Sequence, residues 1–337
     1  MIITRTPFRM SFFGGGTDME SFFTKYGGAV LSTTFDKYCY VNVRHLPRFF
    51  DWSTELTYSK IEKASSVDEI EHPAIRNAMK MLDMHEIRLT YEADLPARSG
   101  LGTSSSFAVG MLNAFYALKG KYADKKRLAD EAIYLERVLC QEAGGWQDQI
   151  AAAFGGMNRI EFNKNGTYDV KPIIIHPDRK KQLNDNLLMF FTGFTRFSSD
   201  LQKANQAGYD EKVKQLQQMY ALVDDAERVL EDKNSDLDDF GRLLDTTWHL
   251  KRQTGGAITT NSIDALYEKG IAAGALGGKL LGAGGGGFLV FYVQPEKQAA
   301  VKEAMKDLLY VPFRFEDGGT RVIHYTPESY IPKEEKK

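Results

Sequence analysis

The thirty glycines of this 337-residue chain are unevenly spread, and where they gather restricts the fold more than any other feature. Four clusters stand far apart: Phe12-Phe13-Gly14-Gly15-Gly16-Thr17-Asp18, Ser99-Gly100-Leu101-Gly102-Thr103-Ser104-Ser105-Ser106, Gly144-Gly145-Trp146-Gln147-Asp148, and Gly282-Ala283-Gly284-Gly285-Gly286-Gly287. Glycine lets the backbone take positive φ and approach a ligand or another loop, at a cost in chain entropy. A chain that carries that cost four times needs a reason, and one ligand shared by the four loops is the simplest.

The length suggests roughly two domains, and a 43% hydrophobic, 26% charged composition is that of a globular chain. The formal charge of −2 gives no electrostatic reason to expect a nucleic-acid or membrane partner. Cys39 and Cys140 form no CxxC pair and read as reduced core residues. The six histidines make no HxxxH or HExxH pattern, which argues against a histidine metal site. With no apolar leader and no run of 18 apolar residues, the expectation is a soluble, cytoplasmic protein.

Periodicity predicts strands over residues 28–35, 38–44, 87–93, 187–191, 288–293 and 320–325. It predicts helices over 105–118, 124–141, 146–154, 210–232, 237–254, 263–274 and 297–309. A boundary between two halves is expected in the turn-rich stretch 163–184.

The Leu95–Ser106 segment lies between an expected strand and an expected helix. Its glycines open the backbone to an anion, and the helix start adds free N–H groups and the positive end of its dipole. The plain alternative is an ordinary helix entry with Thr103 or Ser104 as N-cap. Four consecutive hydroxyl residues exceed what a cap needs, so phosphate binding is favoured. The segment is not a Walker A loop, because Leu280 follows Gly278-Lys279 where Ser or Thr should stand. The run 282–287 formally fits GxGxxG, but the expectation of a helix before it and a strand after it defeats the dinucleotide reading. Close packing on another loop or a ligand is favoured instead. Arg9 and Asp18 flank the first glycine turn, where Asp18 could grip sugar hydroxyls or simply cap a helix. Glu136 on a helix is ordinarily a solvated residue, and Asp148 in a first helical turn is ordinarily a dipole-stabilised acid.

Taken together, the segments Pro7–Asp18, Leu95–Ser106 and Leu281–Phe288 resemble the three motifs of the GHMP kinase superfamily, in order and in spacing. The branch with Gly-Gly-Gly-Thr-Asp in the first motif is similar to the D-glycero-D-manno-heptose 7-phosphate kinases. Galactokinases typically carry Gly-Glu-His-Thr-Asp there, so Gly15 and Gly16 depart from them. The resemblance implies a two-domain α/β (α+β) fold, an N-terminal ribosomal protein S5 domain 2-like half (1–175) and a C-terminal ferredoxin-like sandwich (176–337). It implies ATP held by Pro96, Arg98, Ser99, Gly100, Leu101, Gly102, Thr103, Ser104 and Ser105, with Mg²⁺ on Ser104 and Glu136. Asp148 and Arg9 would be catalytic at the acceptor hydroxyl. Gly15, Gly16, Thr17, Asp18, Gly284 and Gly285 would bind the sugar. Arg196 is the first candidate for the sugar's distal phosphate, and Lys251 and Arg252 are the second. The implied partners are a small sugar phosphate and ATP, with the chain a monomer or homodimer. The alternatives are another sugar-1-kinase, of fucose or galactose type, and a non-catalytic sugar sensor on the same fold.

Overall fold

A computed structural model describes residues 1–47, 49–97, 99–193, 209–255, 258–282 and 284–327, and side chains within 209–211 are not described. Strand β1 (Ile2–Phe13) pairs along its length with β2 (Gly28–His45). The sequence suggests two strands, 28–35 and 38–44, but they are one. Proline has no N–H to give the ladder, and the register slips at Pro7, so that Pro7 faces Tyr38 while Phe8 faces Phe35. Asp36 and Lys37 form the resulting bulge.

Around this pair a nine-stranded sheet is completed by seven further strands. The added strands are β3 (Thr54–Thr57), β4 (Ile61–Ala64), β5 (Ile87–Ala93), β6 (Asn158–Phe162) and β7 (Tyr168–Pro172). The smaller sheet contains β8 (Leu187–Phe191), β9 (Gly277–Leu280), β10 (Phe288–Tyr292) and β11 (Leu309–Tyr310), in the antiparallel order β11-β8-β10-β9. Helices fill the β8–β9 and β10–β11 connections, which is the split β-α-β topology of a ferredoxin-like sandwich. The last strands, β12 (Phe315–Glu316) and β13 (Arg321–Tyr325), return to the large sheet against β2 and β1. The large sheet is therefore built from both sides of residue 175.

The halves share a core. Phe12 and Phe13 of β1 meet Phe240, on the helix Asp238–Gln253, edge to face at 5.2 and 5.1 Å. This apolar contact fixes the first glycine loop, immediately after Phe13, against the C-terminal half.

Two departures from the periodicity bear on the site. The helix expected over 124–141 is an α-helix only over Lys125–Ile133 and continues as a π-helical turn, Tyr134–Leu139. The run 282–287 follows strand β9, not a helix, and leads into β10. It remains unlike a dinucleotide fingerprint, since no helix follows it.

Candidate active site

The helix Thr103–Leu118 starts without a side-chain cap: its N-cap is Gly102, in the left-handed region at φ 70°. The hydroxyls after it are directed elsewhere, which removes the plain capping reading. Ser104 and Ser105 donate to the two carboxylate oxygens of Glu136, at 2.9 and 2.7 Å, and Gln149 donates to the same carboxylate. Glu136 is 1% exposed, so it is not the solvated helix residue its spacing suggests. The π-turn around it widens the helix, a feature often found at functional sites.

The same loop meets Arg9. Gly100 O accepts from Nη1 of Arg9 at 2.6 Å, and Leu101 O accepts from the Arg9 backbone N–H at 3.2 Å. Nε and Nη2 of Arg9 grip Asp148 as a fork, at 2.7 and 2.9 Å, a geometry that fixes both partners. Asp148 stands in the first turn of the helix Gln147–Phe154. Asp18 is 3% exposed and accepts from the backbone N–H groups of Gly16 (2.9 Å) and Gln147 (3.3 Å). Burial, and then the nearby Asp148 charge, raise its pKa above the ordinary carboxylate value.

The last glycine run packs backbone against backbone. Gly282 lies against Gly100, Gly100 against Leu281 O, and Gly287 against Ser99, each so closely that a Cβ would overlap its neighbour. Gly100 and Gly282 also hold φ near +83° and +80°. The run thus braces the Ser99–Ser106 loop, as the excess of glycine suggests.

Arg9, Asp18 and Asp148 open on one cleft of about 950 Å³, its mouth included. Arg137, Gln147, Lys212, Leu216, Lys251, Lys279 and Gly282 line it too. Four of the segments singled out by their glycines therefore converge.

Residues 69–156 match the family described as GHMP kinases N terminal domain, and residues 221–311 match GHMP kinases C terminal. The chain belongs to the GHMP kinases. It is 30% identical over 318 residues to D-glycero-alpha-D-manno-heptose 7-phosphate kinase of Campylobacter jejuni, covering 90% of this chain and 93% of that one. It is 29% identical over 228 residues to the L-fucokinase/L-fucose-1-P guanylyltransferase of Bacteroides fragilis, covering 64% of this chain and 23% of the relative. The fold matches the solved structure of a D-glycero-D-manno-heptose 1-phosphate kinase from Bacteroides thetaiotaomicron with a TM-score of 0.78, at 24% identity, over 96% of this chain and 99% of that one. The chain is thus a sugar kinase, a phosphotransferase, of the two-domain GHMP kinase fold. GHMP kinases draw their phosphoryl group from ATP, and no described helix is long and apolar enough to cross a membrane.

Not every expected site residue lines the GHMP kinase cleft. Gly15, Gly16 and Asp18 do. Thr17 is fully buried and donates to Gly14 O and Ala29 O, at 2.8 and 2.9 Å, so it shapes the turn. Gly282 lines the cleft, whereas Gly285 donates to Ile258 O at 3.0 Å and Gly284 packs on the same residue. Leu101 is a core side chain and can offer a ligand only its backbone. Pro96 is exposed, and Thr103 is buried at the helix start. Arg98 and Arg196 lie outside the described residues. Of the second candidates for a distal phosphate, Lys251 faces the cleft. Arg252 turns away to Asp264, at 3.2 Å, because it lies on a different side of the same helix. The sequence reading missed Ser11, Arg137, Gln147, Gln149, Lys212 and Lys279. Only Gln147 and Gln149 had a local signal, their places beside Asp148.

Proposed function

We propose that this kinase transfers the γ-phosphoryl group of ATP to the anomeric hydroxyl of D-glycero-D-manno-heptose 7-phosphate, giving the 1,7-bisphosphate. The observation that carries the reading is the Arg9–Asp148 fork, set between the Gly100 loop and the cleft that contains Asp18. The heptose 7-phosphate kinase of Campylobacter jejuni, similar over nine-tenths of both chains, supports the choice of sugar.

The residues suit the reactants. Ser99 Oγ is buried without a hydrogen-bond partner among the described residues, and Ser104 is exposed in the first turn of a helix, where backbone N–H groups have no partner within the helix, so the loop has donors to offer a polyphosphate. Ser104 Oγ and Glu136 are hard oxygen donors 2.9 Å apart, which fits Mg²⁺ completing its shell from phosphate oxygens. When bound there, that ion would neutralise charge on the phosphates. Ser11 Oγ and Gln147 Oε1, also buried without described partners, line the cleft where a polyol would bring hydroxyls.

Phosphoryl transfer needs positioning and charge stabilisation more than covalent help. Each Asp148 oxygen takes one N–H from Arg9 and keeps a second lone pair for the acceptor hydroxyl. An anomeric hydroxyl is more acidic than an ordinary alcohol, so a carboxylate held by a guanidinium suffices to orient it and receive its proton. Arg9 then stands beside the charge that develops on the attacking oxygen. Asp18 fixes the ring.

Two measurements test this reading. ADP release should show kcat/KM for heptose 7-phosphate exceeding that for unphosphorylated heptose by roughly 10- to 100-fold, the worth of one charge-assisted contact. Preferred turnover of L-fucose, or no turnover with any sugar, would replace the reading by the fucokinase-like or the sensor alternative. Gly145→Ala tests Asp18, because a Cβ at position 145 would overlap the Asp18 carboxylate. It should raise KM for the sugar by roughly tenfold or more and leave KM for ATP within about twofold. Equal rises for both substrates would remove Asp18 from the sugar site.

A further inference from the structure

The geometry points to Lys251 as a further catalytic residue, one that donates directly to the phosphoryl group in transit. Its ammonium lies where the acceptor cleft meets the glycine loops. Nζ donates to Gly282 O, and Gly282 is packed on Gly100. Arg9 and Asp18 are near enough to act on its charge.

Among the other described cations of the cleft, Arg9, Lys279 and Arg137 are each tied to a carbonyl or a carboxylate. Arg9 spends Nε, Nη1 and Nη2 on Asp148 and Gly100 O. Lys279 is buried and donates to Phe12 O at 2.7 Å, and burial, then the Lys251 and Arg9 charges, push its pKa well down, so its charge is less available than that of Lys251. Arg137 is held by Glu142 O at 3.0 Å and covered by Gly144. Lys212 lines the cleft from the helix Tyr209–Glu231. Among the described residues Lys251 makes one hydrogen bond, and an ammonium has three donors. It can keep one on Gly282 and turn the others to the equatorial oxygens, where charge spreads in the transition state.

In the step, the bond from the acceptor oxygen to the γ-phosphorus forms as the bond from phosphorus to the β-γ bridging oxygen breaks. ADP leaves with that electron pair, the acceptor proton passes to Asp148, and Lys251 stays protonated throughout. The charged groups that line the cleft with Lys251 are Arg9, Asp18, Arg137, Asp148, Lys212 and Lys279, of which Arg9 and Asp18 act on its charge. Burial, and then the Arg9 charge, push its pKa down to about 8. Its charge is therefore present below pH 8 and lost above it.

Lys251→Met and Lys251→Arg, with wild type, test the assignment through kcat, KM for ATP and the pH dependence of kcat/KM. Lys251→Met should lower kcat by roughly 100- to 1,000-fold, as loss of one transition-state donor does, with KM for ATP within about threefold. Lys251→Arg should keep most of kcat and lose the fall in kcat/KM above pH 8 expected of wild type, because guanidinium does not titrate there. A Lys251→Met enzyme within about threefold of wild type in kcat would overturn the assignment. So would a KM for ATP that rises while kcat holds, the mark of a mere anchor for Gly282. If Lys251→Met does not fold, the Lys251→Arg profile decides: an unchanged alkaline limb overturns the assignment. The inference rests on the proposed reading only in placing the reaction at Arg9 and Asp148. Asp148→Asn checks that placement separately, so unimpaired Asp148→Asn and unimpaired Lys251→Met name different failures.

Discussion

Asp148→Asn is expected to lower the single-turnover rate by about 100- to 10,000-fold, the range for loss of a positioned general base. The substitution keeps the shape of the side chain and removes both its charge and its capacity to take a proton. It also turns an amide N–H₂ toward one N–H of the Arg9 fork, so the guanidinium loses a partner it holds at 2.7 or 2.9 Å. Arg9 is only 4% exposed, and water cannot replace that partner fully, so a lower melting temperature is also expected. KM for ATP should hardly change, because the Ser104–Glu136 cluster and the Gly100 loop remain. A single-turnover rate within about threefold of wild type, a barrier change below about 1 kcal/mol, would remove Asp148 from the chemistry.

Gly100→Ala is the second large effect, and it acts on the architecture that brings the motifs together. Gly100 has φ near +83°, and a Cβ there would overlap Leu281 O, a backbone atom that cannot rotate away. The left-handed conformation costs alanine about 1–2 kcal/mol, and overpacking adds typically 1–3 kcal/mol. A loss of about 2–5 kcal/mol is expected from the two together. The loop should also move off Arg9, whose Nη1 donates to Gly100 O, raising KM for ATP and lowering kcat together. Denaturant titration and initial rates measure the two parts. Unchanged stability would mean that the loops are not braced backbone on backbone.

The glycine loops were legible because each is local: a few residues whose composition has no other use. So was the helix after Gly102, whose apolar spacing is continuous, and so were the buried strands β8 and β10. Strand β7 lies inside the stretch that reads as turn, because its Tyr-Asp-Val-Lys alternation is only four residues long and follows the turn residues Asn163–Gly166. Strand β9 was missed because Gly277-Gly278-Lys279 has low β propensity, and pairing with β10 makes it a strand. Glu136 points inward because a helix widens into a π-turn, which no spacing announces; the family resemblance, not periodicity, identified it. Arg137, Lys212 and Lys279 come from three different elements and meet only in the tertiary fold. Lys251 and Arg252 are neighbours in sequence, and only packing of their helix decides that one faces the cleft and the other Asp264.

The central claim is that the phosphoryl group lands on the anomeric oxygen of a heptose already phosphorylated at its far end. Phosphorus NMR of the product formed by the wild-type enzyme from ATP and D-glycero-D-manno-heptose 7-phosphate tests it most directly. One ADP should form for each heptose consumed, with a second sugar phosphate signal coupled to the anomeric proton. A new phosphate coupled to any other ring proton, or ATP and heptose 7-phosphate left unreacted, would contradict it.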